Sequence, residues 1–295
     1  MLELSQASNI DFTKVQELAT EEGIYVLVDK DKDWTSFDVV AKMRSLTKIR
    51  KIGHAGTLDP LATGLLIVCI GKKATKQIYT FQDAGKRYTA TVKLGATTKS
   101  YDAEFDEENI CSVDHITEEM VMEASKKFLG QIKQYPPAFS ARKIGGKKMY
   151  ELARNNQEIK IKPAIVEIDS IDILKYELPH IELDVRCSKG TYIRSLAFDI
   201  GKELSVGGYL SDLRRTEIGS YSVENALKIQ EIQDKYSGVD RRKKASRAIE
   251  ATKQQARIDR QQILLKATKN FAEVGSEQLG FDPFQSFQNN ADFVK

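Results

Sequence analysis

The residues with the most chemical promise lie between Lys51 and Gly71, reading KIGHAGTLDPLATGLLIVCIG. One carboxylate, Asp59, stands there among small residues, followed at once by an apolar run, Leu65 to Ile70. Gly53, Gly56 and the Asp59-Pro60 step read as turns, and the short run bounded by Gly64 and Gly71 reads as a buried strand. An acid on a shaped loop beside a rigid strand is well placed for nucleophilic or general-base work. An Asp that only stabilises an Asp-Pro turn would leave the same local pattern. Further on, Tyr88 stands in an alternating segment, and Tyr192 and Arg194 stand at a strand-to-helix junction. Taken alone, Tyr88 reads as an ordinary sheet aromatic and Arg194 as a surface helix charge.

Length and composition narrow the classes. A chain of 295 residues, 41% hydrophobic and 8% aromatic, can bury a real core. The net charge of +3, from 45 basic and 42 acidic residues, does not announce a nucleic-acid binder, so the distribution of charge matters more than its sum. Cys69, Cys111 and Cys187 are far apart, no CxxC occurs, and His54, His115 and His180 lack ligand spacing, so neither a metal site nor a disulfide framework is expected. No run is long enough to span a membrane. The first 23 residues hold five acids and one lysine, unlike a secretory or mitochondrial leader, and a cytoplasmic protein is expected. The G-x-x-x-x-G-K-[ST] and G-x-G-x-x-G phosphate loops are both absent.

The elements that would carry these residues follow from periodicity. Ile24 to Asp29 reads as a strand. WTSFDVVAKMRSL reads as a helix capped by Thr35 or Ser36, with Phe37, Val40, Met43 and Leu46 as its apolar stripe. Lys72 to Phe81 has a helical pattern. Lys86 to Leu94 alternates, with Tyr88, Ala90, Val92 and Leu94 on one face. Residues 100–116 read as an acidic loop region without a usable motif. A helix over 117–129 would turn Val121, Ala124, Phe128 and Leu129 inward. Ile165 to Leu174 and Ile181 to Cys187 read as strands, and a helix begins near Thr191 or Tyr192. The sum is a mixed α/β body.

GHAGTLDPLATG resembles the aspartate-bearing motif of the tRNA pseudouridine synthase B family, which makes pseudouridine at position 55 in the T-loop of tRNA. The likeness recurs in order at KRY (86–88), at GKKMYELAR (146–154), at SKGTYIRSL (188–196) and at LSDLRRTEIG (210–219), and covers roughly residues 24–219. One departure falls in the opening DKPxGWTS pattern, where Asp31 and Asp33 stand in place of the Pro and the Gly. The resemblance implies a pseudouridine synthase fold (α+β), one mixed and mainly antiparallel sheet flanked by helices. It makes Asp59 the catalytic acid, Arg194 its ion-pair partner, Tyr88 the face on which the target uracil stacks, Tyr192 and Leu213 pocket walls, and His54 a space-filler in the opened T-loop.

Within 142–162 there are seven bases and two acids. The resemblance makes the segment about 134–163 a mobile thumb, whose Arg142, Lys143, Lys147 and Lys148 would neutralise RNA phosphates. A solvated charged hairpin is the plain alternative. The domain reading is an acidic extension (1–23), a catalytic domain (24–221) and a basic helical or loosely ordered tail (222–295) without a clear C-terminal β-rich RNA-binding (PUA) domain. The implied reaction is an isomerisation in which no group or electron leaves, so no cofactor and no metal is expected. The expected partner is the T-arm stem-loop of tRNA, with a monomer and no obligatory protein partner. Three other readings compete: an RNA-binding tRNA-folding helper using the same pocket, a guide-RNA-dependent synthase of the dyskerin type, and, on chemistry alone, a glycoside hydrolase, which wants a second placed carboxylate.

Overall fold

A computed structural model describes residues 1–5, 12–140, 143–144, 146–155, 161–237, 249–255 and 257–258. The chain divides into two compact units, Met1–Tyr236 and Ser237–Lys295. The first is built on one large sheet. Its strands, in chain order, are β1 (Leu2–Leu4), β2 (Ile24–Lys30), β3 (Ile52–Ala55), β4 (Thr63–Ile70), β5 (Lys86–Leu94), β6 (Gly130–Gln134), β7 (Lys143–Ile144), β8 (Lys147–Lys148), β9 (Ala164–Glu177), β10 (His180–Cys187), β11 (Gly208–Ile218), β12 (Tyr221–Ser222) and β13 (Leu227–Lys228). All but β7 and β8, which form a separate two-stranded hairpin, belong to the sheet, whose main path runs β1-β2-β4-β11-β5-β10-β9-β6. Most pairings are antiparallel; β1 with β2, β13 with β2 and β11 with β4 are parallel. The helices are α1 (Val15–Glu21), α2 (Ser36–Thr47), α3 (Lys72–Thr75), α4 (Ile78–Asp83), α5 (Glu118–Lys126), α6 (Met149–Arg154) and α7 (Ile193–Glu203).

The apolar run at Leu65 to Ile70 is a central strand buried on both faces, as a run without alternation requires. Leu66, Val68 and Ile70 enter one core and Leu65, Ile67 and Cys69 the other. Strand β5 alternates as its sequence demands, with Tyr88, Ala90, Val92 and Leu94 all buried. Thr35 caps α2 in a reciprocal box: its hydroxyl accepts from the Asp38 amide (3.0 Å) and the Asp38 carboxylate accepts from the Thr35 amide (2.9 Å). Asp33, at the position of the expected Gly, takes a left-handed φ of 65° and donates its amide to the Pro60 carbonyl (2.9 Å). The turn is therefore kept without its glycine, because Asp tolerates this region better than most residues. Asp33→Gly is expected to raise stability by about 0.5–1 kcal/mol, read from urea unfolding midpoints.

Several expectations change. Residues 1–23 are not a mere extension, because Leu2–Leu4 pairs with Ile24–Val26 and Leu4, Val15 and Ala19 are fully buried. The body also extends past 221: β13 pairs with β2, and Leu227, Ile229, Ile232 and Tyr236 enter the core. Lys72 to Phe81 breaks into two short helices, α3 and α4. Helix α5 stops at Lys126, so Leu129 lies beyond it and is exposed, while Phe128 packs partly on the core. Phe37 leaves the stripe of α2 and faces solvent; Val39 is buried in its place. In the second unit, 249–255 and 257–258 are helical, with exposed Ile249 and Ile258. The remaining expectations about residues 238–295 lie outside the described residues. No helix among the described residues is long and apolar enough to cross a membrane.

Candidate active site

The site arises where the sheet forks. On one side β4 pairs with β2 along most of its length. On the other it pairs with β11 only at Thr63 and Gly64, then with β3 from Ile67 to Ile70. The loop 56–62 sits in the fork. Arg215, 1% exposed, fills the gap: Nε donates to the Leu65 carbonyl (2.7 Å) and Nη2 to the Gly56 carbonyl (3.0 Å). These carbonyls face the break between strand partners, and a buried carbonyl without a donor is costly. Gly64 is needed at the pairing itself: with φ 98°, a Cβ would lie 2.3 Å from the Arg215 carbonyl oxygen.

The loop is clamped on its other flank. The Ser36 hydroxyl accepts from the Leu58 amide (2.9 Å) and donates to the Leu58 carbonyl (3.1 Å). Lys30, fully buried, donates to the carbonyls of Asp31 (3.0 Å), Trp34 (2.6 Å) and Pro60 (3.2 Å). Burial pushes its ammonium down to about 8, partly offset by the charge of Asp59. The backbone around Asp59 is thus held from three directions.

Asp59 opens into a cleft of about 570 Å³ lined also by Tyr88, Tyr192, Arg194, Leu213 and Arg215. Tyr88 comes from near the start of β5, where it pairs with Val185 of β10 and Arg215 of β11. Leu213 pairs with Ala90, two positions along, so it lies on the same face. Tyr192 caps α7, and its amide and carbonyl are both held by the Gln134 side chain (2.8 and 3.0 Å). Arg194 follows in the first turn of α7. The structure therefore brings Asp59, Tyr88, Tyr192, Arg194 and Leu213 together. His54 stands apart on β3, where it meets Phe37 edge-on. Arg142 lies outside the described residues, and the backbones of Lys143, Lys147 and Lys148 form the β7–β8 hairpin.

Arg194 is the centre of the electrostatics. Its side chain is only 6% exposed. Nε meets Asp59 Oδ2 at 3.0 Å and Nη1 meets Asp102 Oδ2 at 3.2 Å. Nη1 also donates to the Ser100 carbonyl (3.2 Å) and Nη2 to the Phe139 carbonyl (3.0 Å). A planar guanidinium can serve four acceptors in this way; an ammonium cannot. Burial pushes the Asp59 carboxyl up from its usual range, the Arg194 charge pulls it back, and Asp102 and Glu104 push it further up. Burial likewise raises Tyr88, whose hydroxyl Arg215 engages.

Sequence reasoning missed Asp102, Lys30 and Arg215. Asp102 sits in the acidic loop region 100–116, which carries no usable motif, and Arg215 lies inside LSDLRRTEIG, where the family likeness points to Leu213 alone. Single buried charges in otherwise ordinary segments leave no periodic signal.

The cleft is thus walled by tyrosines and a leucine and opens on one arginine-held carboxylate, with the size for a planar ring beside an acid, the arrangement of an enzyme cleft rather than of a structural cavity. Comparison with known proteins makes this specific. Residues 44–193 match the N-terminal domain of the TruB family pseudouridylate synthases, and residues 194–253 match the tRNA pseudouridylate synthase B C-terminal domain. The tRNA pseudouridine synthase B of Bacteroides fragilis is 49% identical over 70% of this chain and 91% of its own length. That of Chloroherpeton thalassium is 46% identical over 72% and 90%. The chain belongs to the TruB family. Among solved structures, it resembles a chain of an H/ACA ribonucleoprotein bound to a substrate RNA containing 2′-deoxyuridine (26% identity, TM-score 0.54, 72% of this chain and 53% of that one). It also resembles a chain of an archaeal box H/ACA complex (26%, 0.54, 75% and 55%). It spans a little over half the length of those two chains.

Proposed function

We propose that this chain isomerises uridine to pseudouridine in tRNA, at position 55 of the T-loop, with Asp59 as the catalytic carboxylate. The observation that carries the site assignment is the 3.0 Å ion pair between Asp59 and Arg194 in a cleft faced by Tyr88. The reaction breaks the ribose C1′ to base N1 bond, turns the uracil and joins C1′ to C5. The C5 proton leaves and N1 gains one, so atoms and electrons balance without a redox partner. An ionised Asp59 can attack ribose or base, or take a proton to open an elimination route.

Arg194 opposes the desolvation that favours the protonated form of Asp59 and fixes the orientation of its carboxylate. The target base must first leave its stack, at a cost of roughly a few kcal/mol recovered by stacking and edge contacts. Tyr88 supplies the ring face, with Tyr192 and Leu213 closing the pocket, and its hydroxyl is suited to proton transfer at C5. Tyr88→Phe is expected to leave the half-saturating concentration near that of the wild type while slowing conversion about 10²-fold. Equal rates would confine Tyr88 to stacking.

The guide-RNA-dependent reading is disfavoured by the comparisons: 49% identity to the Bacteroides fragilis tRNA pseudouridine synthase B over 91% of its length stands against 26% over about half of the H/ACA chain. The glycosidase reading wants a free second acid, whereas Asp102 is almost fully buried and committed to Arg194, and Glu104 is paired with Arg154 at 2.9 Å. The helper reading is separated by experiment. Single-turnover conversion of uridine in a T-arm stem-loop RNA is measured for the purified protein and Asp59→Asn side by side, without added metal or cofactor. Product from the wild type alone supports the assignment. A folded wild type that binds the RNA and makes no product would leave the helper.

A further inference from the structure

Phe37 occupies the first turn of α2 yet is 65% exposed, while Val39, Val40 and Met43 of the same helix are buried. A lone exposed apolar side chain is ordinary, but this one is not alone. Its ring meets the His54 imidazole edge-on, with centroids 5.4 Å apart and planes at 87°. Its neighbour Ser36 is the residue that clamps Leu58, next to Asp59. The two rings therefore stand beside the loop that carries the candidate acid, outside the cleft itself. Burial and the nearby Arg215 charge hold His54 towards its neutral form, so the pair presents an uncharged aromatic surface.

An RNA loop that surrenders one base to a cleft leaves its neighbours unstacked, and proteins meet splayed bases with aromatic faces. We infer that Phe37 is a second base-stacking residue of the RNA site, taking an unpaired loop base adjacent to the one that enters the Asp59 cleft. The inference rests on the function proposed above. Helix α2 delivers the ring: its capping box fixes the first turn and the Ser36 clamp fixes that turn to the loop, so the face is preorganised at little entropic cost.

The test is single-turnover conversion of a T-arm stem-loop RNA by wild type, Phe37→Ala and Phe37→Trp over a range of enzyme concentrations. Parallel substrates carry an abasic residue at one loop position each. Phe37→Ala is expected to raise the half-saturating concentration about ten-fold, and Trp to restore it. The penalty should vanish on the abasic substrate that lacks the stacked base. Melting temperatures check folding and should differ little, because the ring is exposed. An Ala variant within about two-fold of wild type, or a penalty that persists on every abasic substrate, overturns the inference and points to a protein-facing or purely structural ring. Those results leave the wild-type activity standing; a wild type without product removes the underlying reading and this inference with it.

Discussion

Asp59→Asn is expected to lower single-turnover conversion by about 10⁴-fold, to below detection in a T-arm assay. The substitution is nearly isosteric and keeps an oxygen for Arg194, so the loop clamped by Ser36, Lys30 and Arg215 has no reason to move. What is lost is the negative charge and with it any nucleophile or base at that point. Tyr88, Leu213 and Tyr192 remain, so RNA binding survives and the defect lies in chemistry. Quantifying pseudouridine after digestion reads the rate, and a filter-binding titration reads affinity. Substantial turnover by the Asn variant would remove the carboxylate from the reaction.

Arg194→Met is the second large effect, with two separable consequences. Conversion at neutral pH falls about 10²–10³-fold, within the range for a misplaced or wrongly protonated catalytic group. The pH profile also moves. Burial already raises the Asp59 carboxyl, and the Arg194 charge opposes that rise. The active form is the ionised acid, so kcat/KM climbs as pH passes upward through its pKa. Removing the opposing charge shifts that acid limb to higher pH, and part of the lost rate returns on alkaline titration. A flat loss at all pH values would confine Arg194 to orientation. The variant also leaves Asp102 buried without its cation, at a cost of about 3 kcal/mol in urea unfolding. Arg194→Lys should recover the charge but not the contacts to Asp102, Ser100 and Phe139 together, and so should restore only part of the rate.

Much of the body was legible in the sequence, because local pattern reports local geometry. The run Leu65–Ile70, the alternation of β5, the Thr35 cap and the start of α7 each follow from spacing over a few residues. Asp59 was legible as an acid on a constrained loop, and its likeness to a family motif made it a candidate for catalysis. Local pattern misled where it was ambiguous: Phe37 had the spacing of a core residue, and β1 and α1 were too short and too polar at their neighbours to stand out from an extension.

Tertiary structure alone decided the rest. That β4 changes partner from β11 to β3, opening the fork for the Asp59 loop, depends on its pairing with a strand about 150 residues away as well as on the local pairing with β3. That Arg194 is a buried bridge rather than a surface charge depends on Asp59, on Ser100 and Asp102 of one loop, and on Phe139, three segments far apart in the chain. Arg215 acquires its role in the same way, by facing the distant Leu65 and Gly56 carbonyls, and Lys30 does so in part, reaching Pro60 as well as the nearby Asp31 and Trp34 carbonyls. Periodicity encodes which face of an element is buried; it carries no record of which distant charge or carbonyl will be waiting there.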